Sequence, residues 1–125
     1  MTAIKYSVDV LIAGGPRLTY NDTIEVDAYD RLDVVIPIGD VETIVDVQPG
    51  GADTIQFLAI RSSVADDGVR FENGAALVGL KNPVLLTGGA VGLLAAVPET
   101  LKFKNSLASP VTVTILVGRN AVQQP

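Results

Sequence analysis

The chain has 125 residues with nine Lys and Arg against 14 Asp and Glu, and it contains no His, Cys or Trp. Without His or Cys, the sequence excludes a Ser-His-Asp triad, a cysteine nucleophile and a Cys/His zinc site. The net charge of −5 argues against a nucleic-acid partner, because a basic patch supplies most of that affinity.

The N-terminal region alternates apolar and polar side chains, which is typical of a strand with one buried face. In residues 4–10, Ile4, Tyr6 and Val8 share one side of the strand, and polar side chains share the other. Residues 23–27 repeat the pattern. Both segments are therefore predicted to be half-buried strands.

Two segments in the middle of the chain, residues 32–38 and residues 54–60, are apolar on both faces. Such strands lie in the centre of a packed structure or bury their second face at an interface. Pro37 has no backbone N–H, so we expect it on an edge strand or at a strand end. The Gly39-Asp40 pair is predicted to form a two-residue hairpin loop.

The C-terminal half continues in short strands. Asp-Gly and Asn-Gly pairs flank residues 69–72 and mark turns, since Gly, Asn and Asp tolerate the backbone angles that tight turns require. Residues 101–104 alternate again, and residues 111–117 are rich in Val, Ile and Thr, which favour strands. The best helix candidate is residues 90–97, which nearby glycines and Pro98 limit to a turn or two.

Many short strands separated by turns, with no long helix, predict an all-β fold. We predict a single domain over residues 1–125, because the length suits one domain and no linker interrupts the chain. Its predicted architecture is an antiparallel β-sandwich of the jelly-roll type. The order of the strands stays open, and with it the choice between a jelly roll and an immunoglobulin-like sandwich.

Acidic residues cluster in one segment of the sequence. Residues 22–53 hold nine Asp and Glu against one Arg, whereas residues 54–125 hold four acidic and six basic residues. If these parts separate in space, an acidic face of one copy can meet a basic face of a neighbour. The alternative is a solvated acidic edge that prevents aggregation between strands.

The sequence contains no strong candidate for a catalytic, metal-binding or nucleotide-binding site. Asp27, Asp30 and Asp33 offer oxygen ligands for calcium, but their spacing matches no EF-hand loop. The carboxylates of residues 66–67 precede a glycine and are more typical of a polar turn. The glycine-rich residues 88–92 lack the Lys-Ser/Thr of a nucleotide-binding loop. We therefore expect no enzymatic activity, no metal and no cofactor.

Three tyrosines raise the alternative of a carbohydrate site. Tyr6, Tyr20 and Tyr29 could form a surface on which sugar rings stack, although Tyr6 is in phase with the apolar side of its strand. The N-terminus lacks the features of a signal peptide, and the apolar stretch at residues 84–97 is too short for a membrane helix. We therefore expect a soluble protein made in the cytoplasm.

Residues 98–106 and residues 111–121, with an Ala-, Val- and Gly-rich β texture elsewhere, resemble the jelly-roll decoration, or cement, proteins of tailed bacteriophage capsids. The resemblance implies a non-enzymatic virion protein on the outer capsid surface, made in the host cytoplasm. It also implies dimers or trimers at capsid symmetry axes that contact the major capsid protein. The resemblance includes no motif from which a functional residue can be carried over.

The last strand and the tail are the first candidates for contacts between copies or with a partner. The candidate residues are Val111, Val113, Arg119, Asn120, Val122 and Gln123. In the alternative interpretation, the valines of the strand belong to the core and only the tail is exposed. Alternative functions are another phage component, such as a tail, neck or head-fibre protein, and a carbohydrate-binding module.

Overall fold

The structure, a computed structural model, describes residues 2–46, 55–94 and 100–120. These residues form ten β-strands and one short 3-10 helix, Gly88–Leu93. The strands are β1 Thr2–Leu11, β2 Arg17–Val26, β3 Ala28–Ile36, β4 Thr43–Asp46, β5 Ile55–Ser62, β6 Val69–Asn73, β7 Ala76–Gly79, β8 Val84–Thr87, β9 Thr100–Asn105 and β10 Val111–Arg119.

Eight of these strands form two four-stranded antiparallel sheets. Sheet 1 has the order β3-β10-β5-β8, and sheet 2 has the order β4-β9-β6-β7. The chain passes from one sheet to the other after β3, β4, β5, β7, β8 and β9. This alternation and these strand orders define a jelly roll, so the predicted all-β jelly-roll sandwich is confirmed.

The core lies between the inward faces of the two sheets. Phe71 and Phe103 of sheet 2 pack with their ring centroids 5.7 Å apart. From the centre of sheet 1, β10 points every second side chain inward, as the period of a strand requires. The buried apolar side chains of this core are Ile36, Val45, Ile55, Leu58, Ile60, Val69, Phe71, Leu80, Val91, Leu101, Phe103, Val111, Val113, Ile115 and Val117.

The turn at Gly39-Asp40 differs from its prediction. Both residues have positive φ, 101° and 56°, as a tight turn with Gly and Asp leads us to expect. However, the turn joins β3 of sheet 1 to β4 of sheet 2, so the predicted hairpin between its flanking strands is wrong. The backbone N–H of Asp40 instead donates to the carbonyl of Asn105, 2.9 Å away.

Asn105 is the one fully buried polar side chain among the described residues. Its Nδ2 donates to the carbonyls of Ser109 at 2.9 Å and Ile36 at 3.2 Å, and its Oδ1 accepts from the N–H of Leu107 at 2.9 Å. These bonds satisfy the amide and fix the turn between β9 and β10 to the end of β3. Burial therefore leaves no unpaired polar group at this position.

The predicted helix of residues 90–97 is replaced by the 3-10 helix Gly88–Leu93, whose Val91 is buried in the core. Residues 95–97 lie outside the described residues. Pro37 directly follows the edge strand β3, as predicted. Within the described ranges, no helix has the length and apolar character needed to cross a membrane.

Strands β1 and β2 belong to neither sheet. They pair with each other in an unbroken antiparallel register from Thr2 opposite Val26 to Leu11 opposite Arg17. We call this hairpin, residues 2–26, the arm. An isolated two-stranded hairpin is only marginally stable in water, so the contacts that the arm makes decide whether it holds its shape.

Candidate interaction surface

The arm has one apolar side, which we call its inner side. It carries Ile4, Tyr6, Val8 and Val10 from β1 and, directly opposite them across the hairpin, residues 24, 22, 20 and 18 of β2. The base of this side touches the outer side of sheet 1 at Gly118. An ideal Cβ on Gly118 would lie 2.6 Å from Ile4 Cδ1, 3.2 Å from Val26 Cγ1 and 3.4 Å from Phe57 Cβ. Only a glycine lets the arm approach this closely.

Tyr6 continues the contact across neighbouring strands. Its ring packs on Phe57 of β5 with centroids 5.9 Å apart, and its hydroxyl donates to Thr87 Oγ1 of β8 at 3.4 Å. Ile4 meets β10 and Tyr6 meets β5 and β8, so the arm runs across the strands of sheet 1 rather than along them. Since β8 is the edge strand, the arm leaves the sandwich just beyond Tyr6.

Beyond that edge the arm projects freely from the sandwich. Every residue from 9 to 20 is exposed. The exposed residues include large apolar side chains, since Leu18 is 65% exposed and Ile12 is 56% exposed. Five residues from Tyr6 to Leu11 at a rise of about 3.3 Å extend the tip by about 17 Å. Arg17 of β2 links the two strands near the free end through two hydrogen bonds of 2.9 Å to the Asp9 carboxylate of β1.

The arm covers only one end of the outer side of sheet 1. The remaining outer side carries Leu116 of β10, Leu85 of β8 and Val35 of β3, which is 62% exposed. Between them lie two arginines. Arg31 pairs with Asp33 at 3.4 Å, whereas Arg61 has no ion pair within the described ranges.

The outer side of sheet 2 is different because its charges are paired with one another. Lys104 lies 3.4 Å from the Glu72 carboxylate, and Arg70 pairs with Asp40. Exposed apolar side chains are also present there, but Ile44 and Leu77 sit in a row with the charged side chains of β9 and β6. The two outer sides therefore offer different chemistry to a partner.

The charge asymmetry of the sequence is partly offset by ion pairs within the fold. Acidic residues of the segment 22–53 pair with basic residues that come much later in the chain. Asp30 lies 2.6 Å from Arg119, and Glu42 lies 3.9 Å from Lys102. These pairs bring later basic residues beside the acidic segment, so the two parts of the sequence do not form wholly separate faces. Among the described residues, Asp22 and Glu25 on the arm make no ion pair.

The residues considered as catalytic, metal-binding or phosphate-binding candidates have structural roles. Asp66 Oδ1 accepts from the N–H of Gly68 at 2.8 Å, and Asp67 Oδ1 accepts from the N–H of Lys81 at 3.3 Å, so both carboxylates order turns. Asp27, Asp30 and Asp33 do not form a metal site, since no group of three potential ligands occurs in the residues described. The glycine-rich residues 88–92 form the 3-10 helix instead of a phosphate loop.

The contact candidates from the last strand divide into three groups. Val111 and Val113 point into the core with 3% and 0% exposure, so their side chains are not available to a partner, as the alternative interpretation held. Arg119 is half-buried against Asp30, and its contact with a partner, like that of Asn120, stays a prediction. The remaining candidates, Val122 and Gln123, lie outside the described residues.

Two of the three tyrosines meet on the arm. The rings of Tyr6 and Tyr20 lie 6.0 Å apart, whereas Tyr29 sits opposite Gly118 on the outer side of sheet 1. The hydrogen bond with Tyr6 and the negative charge of Asp22 raise the pKa of Tyr20 above its ordinary value of 10.0. Tyr20 therefore stays neutral over the physiological range.

Sequence patterns gave no sign that the arm stands apart from the sandwich. The period of two identified β1 and the last part of β2, residues 23–27. Residues 17–22 alternate in the same way but are all exposed, so alternation alone does not reveal that this part of β2 leaves the sandwich. Comparison with protein-family models, curated proteins and solved structures finds no match.

Proposed function

We propose that this protein is a non-enzymatic structural virion protein, a capsid decoration protein that binds the major capsid protein and stabilises the head. It acts as a homo-oligomer on the outer capsid surface. The observation that carries the proposal is the arm, an apolar hairpin that projects from a closed sandwich.

The physical logic of decoration fits these features. Many identical copies bind one particle, so weak contacts add up through multivalency. A closed sandwich brings little ordering cost to each contact, because its core is already packed. The sequence resemblance to phage decoration proteins supplies the identity of the particle.

We assign the capsid contact to the tip of the arm. Leu11 and Ile12 are 70% and 56% exposed there, at the end of β1 and the start of the turn that joins β1 to β2. Two backbone hydrogen bonds hold the tip in a defined turn, from Gly15 N to the Ile12 carbonyl at 2.8 Å and from Ile12 N to the Pro16 carbonyl at 3.2 Å. A preformed apolar turn inserts into a groove with little loss of entropy.

Co-sedimentation with undecorated capsids tests the proposal. The wild-type protein should sediment with capsids at both low and physiological salt, because an apolar contact is not screened. Ile12→Asp should lose most of that binding. Leu93→Asp is the matched control, since Leu93 is a 73% exposed apolar side chain on the 3-10 helix, outside the arm. Absence of wild-type binding at either salt concentration would contradict the decoration role.

Electron microscopy of the particles distinguishes head from tail. Protein on the head lattice supports decoration, whereas protein confined to a tail, neck or fibre would replace it with the other structural role. Both roles share the adhesive arm.

A carbohydrate-binding module is the second candidate. A groove of about 560 Å³ on the arm is lined by Tyr6 and by the polar residues Lys5, Ser7, Asn21, Asp22 and Thr23. The hydroxyl, amide and charged groups of this groove are suited to hydrogen bonds with sugar hydroxyls, and lectins are among the jelly-roll proteins. A glycan array with the wild type and Asn21→Ala tests it, because Asn21 lines the groove and is exposed, and binding that the substitution abolishes would favour this candidate.

A further inference from the structure

We propose that the inner side of the arm beyond Tyr6 packs on the uncovered outer side of sheet 1 in a second copy of this chain. The surfaces are Val8, Val10, Leu18 and Tyr20 on the arm, and Leu116, Leu85 and Val35 on the sheet. This inference adds to the proposed function the contact that joins copies, and it can be tested without a capsid.

The first argument is continuity with a contact that already exists within one chain. Ile4 and Tyr6 of the inner side pack on Gly118 and Phe57 of the outer side of sheet 1. Val8 and Val10 continue the same side of the arm, with their β2 partners Tyr20 and Leu18 opposite them. On the sheet, Leu116 is the next outward position of β10 after Gly118. The free part of the inner side and the uncovered part of sheet 1 are therefore continuations of two surfaces that already pack on each other within one chain.

The second argument concerns reach. The arm crosses sheet 1 at one end and passes the edge strand β8, so its free half points away from its own sandwich. An arm of the same chain therefore cannot cover the remaining outer side. A second copy can, because it offers the same sheet surface beside its own arm.

The third argument is charge. On the inner side, the exposed carboxylate of Asp22 makes no ion pair in the described part of the chain, although it accepts a 3.3 Å hydrogen bond from the Tyr20 hydroxyl. Arg61 on the outer side of sheet 1 is likewise exposed and without an ion pair among those residues. The outer side of sheet 2 offers fewer unpaired charges, because Arg70 and Lys104 there already have acidic partners. The free charges therefore favour sheet 1 as the docking surface.

The two surfaces are unlike, which limits how copies can associate. Two copies can exchange arms reciprocally, or several copies can join head to tail and close into a ring. Either association buries the apolar inner side that one chain leaves exposed.

Cysteine crosslinking tests the contact directly, because the native chain has no cysteine. Mixing Leu18→Cys protein with Leu116→Cys protein under mild oxidation should give a mixed disulfide dimer. Ile44→Cys is the matched control, since it is an exposed position on the outer side of sheet 2. Crosslinking to Ile44→Cys as efficient as that to Leu116→Cys would overturn the proposal.

Sedimentation equilibrium of the full chain supplies the second test. The wild type should be larger than a monomer, and Leu18→Asp should weaken association by about 10- to 100-fold, the equivalent of leaving one leucine side chain unburied. Leu77→Asp, on sheet 2, should leave association unchanged. A monomeric wild type, or equal association of Leu18→Asp, would refute the contact. Capsid binding depends on Ile12 instead, so the failure of one proposal is distinguishable from failure of the other.

Discussion

Two substitutions that change single atoms probe the contact at the base of the arm. Gly118→Ala adds one Cβ, whose ideal position lies 2.6 Å from Ile4 Cδ1 and 3.2 Å from Val26 Cγ1. These distances are too short for van der Waals contact, so the arm must lift or the Ile4 side chain must turn away. Ile4→Val removes Cδ1, the nearest atom, and keeps the rest of the side chain.

The expected free energies follow from these geometries. One extra methyl in a tight contact costs about 1–3 kcal/mol, and replacing a strand glycine returns about 0.5–1 kcal/mol. Gly118→Ala should therefore lower the free energy of unfolding by about 1 kcal/mol. Ile4→Val should cost about 0.5 kcal/mol, because Ile4 is only half-buried. In the double variant the new Cβ occupies the vacated space, which gives a favourable coupling of about 1 kcal/mol.

Urea unfolding of the wild type, both single variants and the double variant measures these terms. Gly89→Ala is the matched control, since a Cβ on Gly89 meets no atom within 4 Å. It should show no coupling with Ile4→Val. Additivity of Gly118→Ala and Ile4→Val to within about 0.5 kcal/mol would refute the proposed close approach of the arm to sheet 1.

Other substitutions test the core and the arm. Asn105→Ala should cost about 3 kcal/mol in urea unfolding, because it removes three hydrogen bonds to backbone groups, one of which is the buried carbonyl of Ile36. Phe103→Ala should cost about 3–5 kcal/mol, whereas Ile44→Ala on the exposed side of sheet 2 should cost less than about 0.5 kcal/mol. Asp22→Asn should lower the pKa of Tyr20, as followed by ultraviolet absorbance, because it removes a negative charge that raises it. Since the raised pKa contributes stability below pH 10.0 that is lost as pH rises through the folded pKa, the variant should lose less stability in alkali. Equal alkaline titration of the two proteins would contradict that cause.

The sequence predicted strands well where the signal is local. Alternation identified β1 and β9, because a strand with one buried face needs an apolar side chain at every second position. Pairing between strands is not local. Gly39-Asp40 has the backbone of a tight turn, yet the following strand joins the opposite sheet, where it pairs with β9 from far along the chain. A residue pattern around a turn does not encode a partner so distant in sequence.

The candidate surface was harder to predict for a related reason. The apolar side of the arm has the same alternation as a core strand, so the pattern cannot distinguish packing within the chain from exposure. The sequence also does not show that a glycine in an apolar strand permits a close contact with another element. Gly118 became informative only when the structure brought Ile4 and Val26 against it. By contrast, the interpretation of Val111 and Val113 as core needed only their phase on β10.

The position of the arm before β3 separates two properties of the protein. The eight strands that follow complete both sheets of the jelly roll by themselves, and among the described residues the arm joins them through Val26, Asp27 and the contacts at its base. Changes in the length or tip of the hairpin therefore leave the packing between the sheets undisturbed. Substitutions at the tip can therefore change which partner the protein binds while its thermal stability stays the same.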